Sequence, residues 1–108
     1  MDRPPRPAPP PLTGPDGERL SPETERVLRG FFKDGRLLTI PAKERKRLVV
    51  LRYLRDQVFT EERTYPEAEV NQRLALFHRD VAALRRYMVD AGLVTRSAGE
   101  YRRVDDEG

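Results

Sequence analysis

Six arginines fall between residues 79 and 103: Arg79, Arg85, Arg86, Arg96, Arg102 and Arg103. A guanidinium is a planar fork of N–H donors, matched to a phosphate or to the O6/N7 edge of guanine. On a helix spanning 80–91, Val81, Leu84, Met88 and Ala91 fall on one side, facing a core. Ala82, Ala83 and Arg86 then face away, with Arg79 just ahead on that same side. Two methyl groups between guanidiniums let a helix approach a duplex closely. Arg96, Arg102 and Arg103 follow in a segment suited to lie along a phosphate backbone. Arg85 sits nearer the core edge, where a salt bridge within the fold is the expected role. This pattern fits the binding of double-stranded DNA.

Other chemistries find less support. The chain has no cysteine and one histidine, which excludes a thiolate metal site, a disulfide scaffold and a cysteine nucleophile. His78, Asp80 and Glu69 are the best conceivable metal ligands, but a second histidine is lacking. No metal or other cofactor is therefore expected, and His78 reads as a turn or cap residue. Ser21, Ser97 and the threonines have no evident base, and there is no glycine-rich phosphate loop. Glu67 with Glu69, and Asp105 to Glu107, read as solvated helix-start and tail charges. An enzyme is not expected.

The charge is uneven along the 108 residues. The net value of +3 conceals +4 over 41–60 and +2 over 78–96, separated by −2 over 61–77. Lys43, Lys46 and Arg47 crowd the start of a helix, where the dipole disfavours cations. Either an anionic partner or simple snorkelling off the core edge explains them. The longest apolar runs are four residues, such as Leu48 to Leu51, whereas a membrane helix needs about 20. With no secretory signal either, the expectation is a soluble cytoplasmic protein.

The elements that must hold these groups follow from punctuation and period. Seven of ten prolines lie within the first 15 residues. Residues 1–20 therefore read as a disordered or polyproline-II tail, a solvated extension before a ligand for an SH3-like groove. Ser21-Pro22-Glu23 starts a helix, which Lys33-Asp34-Gly35 ends. Arg36 to Ile40 reads as a short strand, and Pro41 opens a long helix over 42–58. There Val50, Leu51, Leu54 and Val58 form an apolar stripe, while Arg45, Arg52 and Asp56 share the wet face. Residues 59–65 are a connector. Helices over 66–76 and 80–91 flank a break at His78-Arg79-Asp80, and Gly92 closes the second. Strands over 93–96 and 101–104 then form a hairpin around Ser97 to Glu100.

Two short helices with a tight break, followed at once by a hairpin, are the layout of a winged helix-turn-helix. The predicted fold is thus α+β and mostly helical: a winged helix-turn-helix over 21–108 with a small β-hairpin wing. The Leu37–Ile40 strand is a candidate third strand of its sheet.

Phe32 through Lys43, Arg52-Tyr53-Leu54, Tyr65 through Asn71, Asp80-Val81, Leu84-Arg85-Arg86, and Gly92-Leu93 with Arg96 and Tyr101 together resemble a bacterial family, domain of unknown function 2087. The likeness covers about residues 28–104. It implies a winged-helix-like domain found in transcriptional regulators, some fused behind a helix-turn-helix of the arsenic-repressor type. No such domain precedes here, so DNA binding would rest on this domain alone. Pro66 stands where the family pattern favours a hydroxyl cap, which leaves the helix start to proline geometry and Glu69. Asn71 and Tyr101 recur in the likeness. Asn71 is expected to brace a turn in preference to contacting phosphate. Tyr101 is expected to pack its ring on the third helix and expose its hydroxyl.

The function these residues predict is a DNA-binding transcriptional regulator that reads duplex through the 80–91 helix and the wing. The alternative is a winged-helix protein-interaction module without DNA binding. A homodimer would raise the effective charge, with Leu28, Phe31 and Phe32 as candidate contacts.

Overall fold

The computed structural model describes residues 20–105. The expected tail lies outside these residues apart from Leu20, which packs against the core. Helix α1 (Pro22–Phe31) begins as its sequence requires. Ser21 accepts a hydrogen bond from Thr24 N at 3.2 Å, Pro22 opens the first turn, and Glu23 and Glu25 lie near the positive end of the dipole. Asp34-Gly35 does more than end the helix. Both residues take positive φ (53° and 79°), the backbone of a tight two-residue turn, so β1 (Phe32–Lys33) folds back on β2 (Arg36–Leu37). The strand expected over 36–40 is cut to two residues and pairs only with β1. Leu37 N donates to Phe77 O at 2.8 Å, which docks this hairpin on the turn after the third helix.

Helix α2 (Glu44–Val58) starts three residues past Pro41, so the proline does not open it. Its cap residue Lys43 makes no side-chain cap. Instead Arg47 Nη1 reaches back to the carbonyls of Pro41 and Ala42, at 3.3 and 2.9 Å. Val50, Leu51, Leu54 and Val58 are buried as their stripe requires. Asp56 leaves the wet face expected of it and pairs with Arg55 and Arg103 in place of Arg52.

The stretch read as a connector contains a strand, β3 (Tyr65–Pro66), and this strand takes the sheet position expected for Leu37–Ile40. Helices α3 (Glu67–Ala75) and α4 (Val81–Asp90) follow, then β4 (Val94–Ser97) and β5 (Glu100–Arg103), joined at Ala98-Gly99. The sheet order is β3-β5-β4, all antiparallel, with Tyr65 opposite Tyr101 and Arg96 opposite Tyr101 on the other side. One core joins Leu28, Leu51, Leu54, Val58, Phe59, Tyr65, Leu74, Leu84, Met88 and Tyr101. Leu28 is fully buried and Phe31 and Phe32 pack against the core, so Leu28 is not a dimer contact. The result is α+β: four helices and two small antiparallel sheets. Among the described residues, no helix is long and apolar enough to cross a membrane.

Candidate nucleic-acid interface

Burial of Leu84 and Met88 fixes the rotation of α4 and turns Ala82, Arg86 and Asp90 to solvent. The start of α4 is fixed by Asp80, whose carboxylate accepts from Ala83 N at 3.1 Å. His78 Nδ1 accepts from Asp80 N at 3.0 Å, so the histidine is a turn residue, as expected. Between α4 and the β4–β5 hairpin runs an open groove of about 340 Å3. Ala82, Arg85, Arg86, Val89 and Asp90 line one side, and Arg96 and Tyr101 the other.

The predicted arginines separate into two groups. The side chains of Arg79, Arg86 and Arg102 are exposed and make no hydrogen bond or ion pair with other described residues. Arg79 stands in the turn before α4 and Arg86 in the groove. Strand alternation puts Arg102 with Thr95 on the outer face of the hairpin, opposite to Arg96 and Tyr101. Arg103 departs from expectation. Its Nη1 donates to Phe59 O (2.7 Å), its Nη2 to Asp56 (3.0 Å) and its Nε to Asp105 (2.6 Å). Only 13 % of the side chain is exposed. Sharing the inward face with Tyr101, it braces β5 against the end of α2 and offers no fork to a phosphate. Ala82 is exposed, whereas Ala83 is half-buried behind the Asp80 cap.

Arg85 makes the internal salt bridge expected of it, with Glu67 Oε1 at 2.7 Å. The Tyr101 hydroxyl is not left free: it donates to the same oxygen at 3.0 Å and accepts from Arg85 Nη1 at 3.0 Å. Arg96 Nη2 lies 3.5 Å from that oxygen, and its guanidinium lies 5.9 Å from the centre of the Tyr101 ring. Glu67 was legible only as a helix-start charge, because its partners lie on three later elements and local spacing cannot reveal them. Asn71 Oδ1 is buried without a hydrogen-bond donor.

The remaining polar residues are engaged locally. Glu69 does not cap α3; it pairs with Arg63 at 2.6 Å and Arg73 at 2.9 Å. The Arg63 hydrogen bond holds the Glu69 carboxyl below the usual carboxylate range. Both arginines face the ring of Tyr65, at 3.7 and 5.4 Å. No group of three or more His, Asp or Glu that could hold a metal occurs among the described residues. In the basic start of α2, Arg47 lies over the Tyr87 ring at 4.6 Å, while Lys43 and Lys46 are exposed.

Residues 36–103 match the family described as an uncharacterized protein conserved in bacteria, DUF2087. The chain belongs to that family. No curated protein and no solved structure matches the sequence. The DUF2087 segment starts at β2 and ends at β5, so it contains the whole groove, whereas α1 and β1 lie outside it.

Proposed function

We propose that residues 44–103 form a winged helix-turn-helix that binds double-stranded DNA as a transcriptional regulator, with α4 as reader and the β4–β5 hairpin as wing. The element order α2-β3-α3-α4-β4-β5, with strands ordered β3-β5-β4, supports the winged-helix reading. One observation carries the function. Arg86 stands unpaired on the solvent side of α4, across an open groove from Arg96, and the Arg79 side chain is unpaired in the turn before that helix, whereas Arg85 and Arg103 are bound within the fold. Unpaired guanidiniums need not give up an internal partner when they meet phosphate. A homodimer would double the modest charge that one chain brings to a two-fold site.

Anisotropy titrations of a labelled duplex at several salt concentrations test this reading. Arg86→Ala should cost about 1–3 kcal/mol and relax preference at one base, as expected for a guanine contact. Arg79→Ala should weaken all duplexes alike and reduce the slope of log affinity against log salt by about 0.9. Absence of binding to any duplex at low salt would leave the protein-interaction module. That second reading has an observation of its own. Leu38 and Leu76 are 61 % and 68 % exposed, and they follow and precede the two residues joined by the Leu37 N to Phe77 O hydrogen bond.

A further inference from the structure

Glu67 lies between the helix arginine Arg85 and the wing arginine Arg96. Three donors converge on its Oε1, and they do not share it equally. Arg85 Nη1 at 2.7 Å and the Tyr101 hydroxyl at 3.0 Å make hydrogen bonds. Arg96 Nη2 at 3.5 Å makes an ion-pair contact without one. Exposure follows the same order: the side chain of Arg85 is 20 % exposed and that of Arg96 is 53 %. Arg85 is therefore a fixed member of the fold, supported by Tyr101. Arg96 is tethered by charge alone, at the edge of the groove where Arg86 stands unpaired.

We propose that Glu67 is an internal competitor for Arg96: its carboxylate occupies the place a backbone phosphodiester takes when duplex DNA enters the groove. This inference rests on the DNA-binding reading. The competition is between two oxyanions for one guanidinium. Binding exchanges the Arg96–Glu67 contact for an Arg96–phosphate contact, and the Glu67 carboxylate keeps Arg85 and Tyr101 as partners. Two consequences follow. A lone phosphate contact gains little, because it must displace an existing ion pair. A duplex that also engages Arg79 and Arg86 can complete the exchange, and Glu67 lowers the affinity for every duplex by the same factor. Asp90 is the natural control. It also lines the groove, but it makes no ion pair with a described residue.

The test is a set of anisotropy titrations on the full chain, with a preferred duplex and a scrambled one. The proteins are the unsubstituted chain, Glu67→Gln, Asp90→Asn, Arg96→Ala and the pairings of each acid substitution with Arg96→Ala. Glu67→Gln should tighten binding to both duplexes by about two- to fivefold, the range of an exposed ion pair. That gain should vanish in the Arg96→Ala background. A gain from Asp90→Asn should survive there. If Glu67→Gln melts early, Glu67→Asp draws the carboxylate back by one methylene while keeping the charge. It should give a smaller gain that is likewise lost with Arg96. Unchanged or weaker binding by folded Glu67 variants overturns the proposal while leaving the DNA reading intact. So does a gain that persists without Arg96. If the unsubstituted chain binds no duplex, the DNA reading and this proposal fall together.

Discussion

Glu69 shows how a residue's partners give its charge a direction of effect. Hydrogen bonds from Arg63, and then the charges of Arg63 and Arg73, hold its carboxyl below the usual range. The unfolded chain therefore binds this proton more readily than the folded one. The stabilisation is complete above the ordinary glutamate pKa of about 4.3 and fades as pH falls through the lower folded value. Glu69→Gln should show a melting-temperature deficit that is constant above about pH 5 and closes in more acidic solution. A deficit independent of pH would mean that the side chain acts through packing. Leu84 and Ala82 test the rotation of α4. Leu84→Ala should cost about 2–5 kcal/mol in chemical denaturation, since Leu84 is fully buried. Ala82→Ser, on the exposed side, should cost almost nothing. At this scale the sequence revealed which way Leu84, Arg85 and Arg86 point, because helical period alone decides that. It did not reveal that Arg103 is held inward, because its partners Asp56 and Phe59 lie on distant elements.

The helices were legible as elements, and their ends fell within two residues of expectation: 42–58 against Glu44–Val58, 66–76 against Glu67–Ala75, and 80–91 against Val81–Asp90. Each carries apolar residues three or four positions apart on one side, which is a periodic signal. Of the two-residue strands only β2 fell within an expected strand, and β1 and β3 were missed, because two residues contain no alternation to detect. Tyr65–Pro66 becomes a strand through its pairing with β5, a distant event that its own composition does not encode. The two tight turns differ in fitness. Asp34-Gly35 has residue types that tolerate positive φ, whereas Ala98 holds φ at 51° with no polar side chain to ease it. Ala98→Asn should therefore stabilise by about 0.5–1 kcal/mol. Gly99→Ala should destabilise by about 1–2 kcal/mol from the backbone alone, since its φ is 76° and no atom crowds an added Cβ. Thermal melts of both variants check the pair, and equal effects would mean that the hairpin relaxes its turn.

Across the whole molecule, the family segment and the folded unit differ in extent. The match begins at residue 36, yet Leu28 of α1 is fully buried in the common core. Removing residues 1–19 should leave the melting temperature unchanged, because that proline-rich sequence has little apolar surface to anchor. Removing residues 1–35 takes away Leu28 and should cost at least the roughly 2–5 kcal/mol of a lost core leucine. A fragment 36–103 that melts with the full chain would show α1 to be an ornament. The groove was half legible at this scale. The sequence brought Arg86 and Arg96 to neighbouring elements, but it placed Arg102 beside them, although strand register turns it to the far face. Register is a property of the assembled sheet, and no single strand of two to four residues determines it.

The placement of β5 at the centre of its sheet bears on how the protein is born. β3 must wait for residues 100–103 before it has any strand to pair with, and the end of α2 is tied to the same late residues through Arg55 to Val104 O and Arg103 to Phe59 O. A chain growing from the ribosome can coil its helices early, but the sheet and the groove between α4 and the hairpin close only after residue 104 has left the exit tunnel. Nascent chains stalled before Glu100 should be protease-sensitive throughout, and protection should then arise in a single step as the last strand emerges.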